Sequence, residues 1–78
     1  MIINTEYLNS TNKVVTAINP YKIVRISKFE DEVAYEIDYI IYIYFDNSHL
    51  ILHFEDKETR DRGYRLLISE WDTALCRG

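Results

Sequence analysis

Between residues 33 and 45 every odd position is apolar or aromatic: Val33, Tyr35, Ile37, Tyr39, Ile41, Ile43 and Phe45. A period of two puts these side chains on one face of a β-strand. The even positions begin polar, with Glu36 and Asp38, and turn apolar at Ile40, Tyr42 and Tyr44. The second face therefore changes character halfway along the strand. Asp46-Asn47-Ser48 interrupts the run, after which Leu50, Leu52 and Phe54 share one face of a further strand. With Asn47 and Ser48 as the central turn residues, Phe45 faces Leu50, Ile43 faces Leu52, Ile41 faces Phe54, and His53 falls opposite Tyr42. Upstream, residues 23–29 pair with the central strand across Glu30-Asp31-Glu32. The expected register sets Ile26 against Ile37 and Val24 against Tyr39 on the core face. It sets Arg25 against Asp38 and Ser27 against Glu36 outside. Residues 14–18 read as another strand, stopped by Asn19-Pro20-Tyr21. Residues 1–12 are expected to add either a short strand through Ile2-Ile3 or a flexible arm, with loop chemistry at Asn9-Ser10-Thr11-Asn12.

Past Asp56 the period lengthens to about 3.6. Asp56 is a natural N-cap, and Glu58 suits the first turn of a helix. Tyr64, Leu67, Ile68, Trp71 and Leu75 make one apolar stripe. Glu58–Arg62 and Asp61–Arg65 are i,i+4 pairs in the favourable orientation. Gly63 weakens a helix interior by about 1 kcal/mol relative to Ala, so either the backbone approaches a strand there or the first turn is irregular. The expected fold is α+β. An antiparallel meander of about four strands (14–18, 23–29, 33–45, 49–55) carries one C-terminal helix (57–75) on one face, all within a single domain spanning residues 1–78.

One helix covers one face. The other bears Ile40, Tyr42, Tyr44, Ile51 and His53, where an antiparallel sheet open to water usually carries polar residues. Cover from the first thirteen residues or from a curled sheet would remove this patch from solvent. The alternative, preferred here, is contact with another molecule, most simply a second copy in a two-fold dimer. Tyrosine suits such a face, since it combines apolar area with a hydroxyl that stays hydrogen-bonded. The charged side of the helix, with Arg62, Arg65 and Leu66, is expected to engage an unidentified protein target.

Composition narrows the chemistry. Nine Lys+Arg stand against thirteen Asp+Glu, a net charge of −4. Lys57, Arg60, Arg62 and Arg65 are interleaved with Glu55, Asp56, Glu58 and Asp61, so nucleic-acid binding is not expected. The same dilution makes acidic mimicry of DNA a poor reading of Glu30, Asp31, Glu32, Glu36 and Asp38. The only glycines are Gly63 and Gly78, too few for a phosphate loop. His49 and His53 lie about 13 Å apart along one strand, and Cys76 is remote from both, so no metal site, cofactor or enzyme activity is expected. A single cysteine and no apolar run near the ~20 residues of a membrane span lead to an expected cytoplasmic location without membrane contact. The best reading is a non-enzymatic contact module of an accessory or regulatory kind, as small proteins of bacteria, phages and mobile elements often are. The alternative is a protein that sequesters a nucleotide-like ligand at an oligomer interface.

Overall fold

The computed structural model describes residues 2–12 and 16–77. Its order is β1 (Ile3–Asn4), a 3₁₀ turn (Thr5–Leu8), β2 (Ala17–Ile18), a second 3₁₀ turn (Pro20–Lys22), β3 (Arg25–Val33), β4 (Glu36–Tyr44), β5 (His49–Phe54) and α1 (Lys57–Arg77). The fold is α+β: β3, β4 and β5 form an antiparallel meander, β1 and β2 form a separate two-stranded ribbon, and one helix closes the chain. The strand expected over 14–18 is thus reduced to Ala17–Ile18 and lies outside the meander, paired with Ile3–Asn4. Positions 14 and 15 of that expectation fall outside the described residues.

The ribbon belongs to the helix side of the sheet. Ile3, Leu8, Ile18 and Ile23 join Ile26, Ile41, Ile43, Leu52, Phe54 and Leu67 in one buried cluster. Thr5 is buried too. Its amide donates to the Thr16 carbonyl at 3.0 Å, and its hydroxyl accepts from the Thr16 amide at 2.8 Å, so the ribbon end leaves no stranded polar group there. Asn19 steadies the following turn by accepting the Tyr21 amide, with Pro20 buried beneath.

Asp56 caps α1 as expected: its Oδ1 accepts the Thr59 amide at 2.7 Å. Those hydrogen bonds from Thr59 hold its carboxyl below the ordinary value of 3.8. Gly63 marks a close approach, since an added Cβ would lie 3.3 Å from the Phe54 ring and 3.4 Å from the Leu8 carbonyl. The fully buried helix positions are Arg60, Gly63, Leu67 and Ala74. The stripe read from the sequence is therefore rotated: Tyr64, Ile68 and Trp71 are half-buried on its flank, and Leu75 is 55% exposed. The pair Glu58–Arg62 forms at 3.7 Å, but Asp61 turns to Arg60 and Lys28 instead of Arg65.

Both hairpin registers differ from expectation. In the first, Ile26 faces Ile43, Arg25 faces Tyr44 and Ser27 faces Tyr42. Glu30, Asp31 and Glu32 lie within β3, and the turn is made by Ala34 and Tyr35. In the second, residues 45–48 form the loop, closed by the Phe45 amide donating to the Ser48 carbonyl at 2.8 Å. Ile43 then faces Leu50, Ile41 faces Leu52, Tyr39 faces Phe54, and His53 faces Ile40 rather than Tyr42. Each displacement spans an even number of residues, so no side chain changes face.

β3 and β4 run on beyond β5, which pairs only as far as Tyr39. The extension is a two-stranded arm with Tyr35 fully exposed at its tip and Ile37 exposed behind it. Ala34 takes φ 59°, a conformation that costs a residue with a Cβ about 1 kcal/mol. Ala34→Gly should therefore raise unfolding stability by up to about 1 kcal/mol, seen as a higher urea midpoint at unchanged slope. A drop in the midpoint would contradict the turn assignment.

Candidate interaction face

The face of the meander turned away from α1 is built by the odd positions of β3 and β5 and the even positions of β4. All five residues expected on it are there. Ile40 is buried, while Tyr42, Tyr44, Ile51 and His53 are half-buried. Cross-strand pairing sets Ile40 beside His53 and Tyr42 beside Ile51. The true register adds Phe29, opposite Ile40 and 46% exposed, which the displaced register had left out.

The rings organise themselves. Tyr42 meets Phe29 edge to face at a centroid distance of 5.1 Å and stacks on Tyr44 at 5.8 Å, with planes 16° apart. His49 leans toward Tyr42 at 6.2 Å, and the Arg25 guanidinium lies 4.3 Å above the Tyr44 ring. Such contacts are worth about 0.5–1.5 kcal/mol each beyond area burial. They make an aromatic shelf of mutually packed rings. Beside it, His53 Nδ1 and Asp38 Oδ2 are 2.8 Å apart, tying β5 to β4 across the shelf's margin.

The amino-terminal segment touches this sheet at its edge. The Thr11 amide donates to the His53 carbonyl at 2.7 Å, and the Asn12 side chain donates to the Ile51 carbonyl at 2.9 Å. Asn12 Oδ1 accepts the His53 amide at 2.8 Å. These bonds close the free side of β5, where unpaired backbone groups invite strand addition. Both 3₁₀ turns contact α1, which keeps residues 5–8 and 20–22 on the helix side. Over the shelf lies a groove of about 400 Å³ lined by β3 and β4 side chains.

Arg60 is the residue that sequence patterning missed. It stands among basic residues interleaved with carboxylates at the helix start, yet it is 3% exposed. Its Nη1 donates to the Phe29 carbonyl at 2.7 Å, Nη2 to Glu30 at 3.2 Å and Nε to Asp61 at 2.8 Å. The guanidinium also sits 5.4 Å from the Tyr39 ring centroid. Arg60 thereby bolts the start of α1 to the strand that carries Phe29. A planar fork with several donors is what makes arginine able to serve three acceptors at once.

Of the helix residues expected to meet a target, Arg62 is paired with Glu58, while Arg65 and Leu66 are exposed. Cys76 is exposed, and among the described residues no three His, Cys, Asp or Glu side chains converge as metal ligands. Among the described residues no helix is long and apolar enough to cross a membrane. A scan against protein-family models found no match, and searches of curated proteins and of solved structures found none either.

The Arg60 hydrogen bond holds the Asp61 carboxyl below its ordinary value of 3.8. A carboxyl with a lowered native pKa stabilises the fold fully above its unfolded value. That stabilisation fades as pH falls through the native one. Arg60→Met should cost roughly 2–3 kcal/mol at pH 7, toward or below the low end for a broken buried pair because Glu30 and Asp61 remain in reach of water. It should also flatten the decline in stability below pH 4, measured by urea unfolding across pH. An unchanged acid limb would contradict the assignment.

Proposed function

We propose that this chain is a small, non-enzymatic protein–protein contact module whose aromatic sheet face docks on a second copy of itself. The observation that carries this reading is the shelf of Phe29, Tyr42 and Tyr44 above buried Ile40. A two-fold contact reuses one patch on both partners, so a single flat face suffices. Aromatic residues with few rotatable bonds lose little entropy on docking, and Tyr hydroxyls can stay hydrogen-bonded at the rim. An accessory or regulatory protein working in the cytoplasm, with Arg62 and Leu66 on the exposed helix side free for a target, completes the proposal.

A second reading has one observation in its favour. Arg25 above Tyr44 next to a stacked ring resembles a seat for a nucleobase and its phosphate. Asp31 lines the same groove and repels phosphate, and the charge of Glu30 is already matched by Arg60, which favours the protein contact. The two readings separate on heating: a sequestering protein releases an ultraviolet-absorbing small molecule, and a contact module releases none.

Charges placed in the shelf should break the contact without touching the core on the other face. The double variant Tyr42→Glu, Ile51→Glu is expected to keep the wild-type far-ultraviolet helix signal. Its mass by sedimentation equilibrium should fall to half the wild-type value or less. A folded variant with unchanged mass would contradict the proposal.

A further inference from the structure

The flank of α1 carries a second apolar surface, remote from the shelf because it lies on the helix layer. Tyr64, Ile68, Trp71 and Leu75 follow one another at intervals of four, three and four residues. That is the spacing of a seam along which two helices interlock. The four line an open groove of about 470 Å³, and Arg65 and Asp72 border it. The own core of the protein claims the neighbouring positions Leu67 and Ala74, which are fully buried, but leaves the seam half-covered and Leu75 largely bare.

We infer that this seam pairs with the same seam of a second copy, the two helices running antiparallel about a two-fold axis. Antiparallel pairing sets Tyr64 against the partner's Leu75 and Ile68 against the partner's Trp71, and symmetry repeats both layers. The charges decide the occupant. Arg65 and Asp72 are both exposed and lie on the same outer side of the seam. In the antiparallel pair each sits between the same two apolar layers, so Arg65 meets the partner's Asp72 and Asp72 meets the partner's Arg65. A parallel pair would carry the two charged stripes to opposite edges of the seam, where neither charge meets its complement. The stripe is thus complementary to its own reverse. This contact is independent of the sheet-face contact, and a protomer with both would build a four-chain ring or an open chain of copies.

The test uses the charge pair, whose members are exposed enough that substitution leaves the fold intact. In the Tyr42→Glu, Ile51→Glu background, the helix contact alone should hold a two-chain species in sedimentation equilibrium. Adding Arg65→Asp, or separately Asp72→Arg, opposes like charges twice per pair and should weaken association at least about tenfold. Mixing these two charge variants pairs opposite charges again, so the mixture should regain the two-chain mass that neither shows alone. The same three samples made with an unaltered sheet face separate the two contacts. If the sheet substitutions leave the mass unchanged while the charge variants and their mixture behave as described, the helix contact stands without the sheet contact. If the charge variants match their parent and mixing changes nothing, the seam is filled by something other than a second copy, and the inference is overturned.

Discussion

A three-stranded sheet presents two faces to water, and in this molecule the chain spends nearly all of its covering material on one of them. The helix, the β1–β2 ribbon and both 3₁₀ turns gather around Ile26, Ile41, Ile43, Leu52 and Phe54. Apolar burial on that side is the main source of stability in so small a domain. The opposite face holds only what its own side chains can arrange, and the solution is a layer of rings lying against one another. The other features of the molecule are arranged around this asymmetry. Gly63 lets the helix come down onto Phe54 and the Leu8 carbonyl. Arg60 fixes the helix start to β3, and Thr11 with Asn12 seals the edge of β5.

The parts of this architecture legible in the sequence are those governed by periodicity. Odd and even positions of residues 36–54 sort correctly onto two faces even though both hairpins are displaced from the expected register. A shift by an even number of residues leaves facing unchanged. The shelf residues Ile40, Tyr42, Tyr44, Ile51 and His53 were therefore recognisable without knowing which strand neighbour each one meets. The helix start at Asp56 was legible for a similar local reason, since a carboxylate at that position satisfies an orphan amide.

What escaped the sequence depends on contacts between distant residues or on turn geometry with no local signature. Ala34 in a left-handed conformation carries neither the Gly nor the Asn that announces a tight turn, whereas Glu30-Asp31-Glu32 looks like one and is strand. The arm beyond Glu30 and Tyr39 has no buried position among its described residues, so no core face was there to arbitrate its pairing. Phe29 joined the shelf only once the register was known. Arg60 is indistinguishable in the sequence from the other cations interleaved with carboxylates at the helix start, because two of its three acceptors lie on β3. The helix stripe lies about one position off the expected centre: Ala74 rather than Leu75 is buried, and α1 contacts both 3₁₀ turns, partners invisible in the sequence.

The ring-covered face is half-open within one protomer, and in the proposed dimer it is covered between protomers. Isotope-filtered nuclear Overhauser spectra on an equal mixture of labelled and unlabelled chains test it most directly. The account predicts intermolecular cross-peaks to the side chains of Phe29, Tyr42, Tyr44 and Ile51. Spectra in which those side chains show only intramolecular contacts, led by the chain's own first sixteen residues, would contradict it.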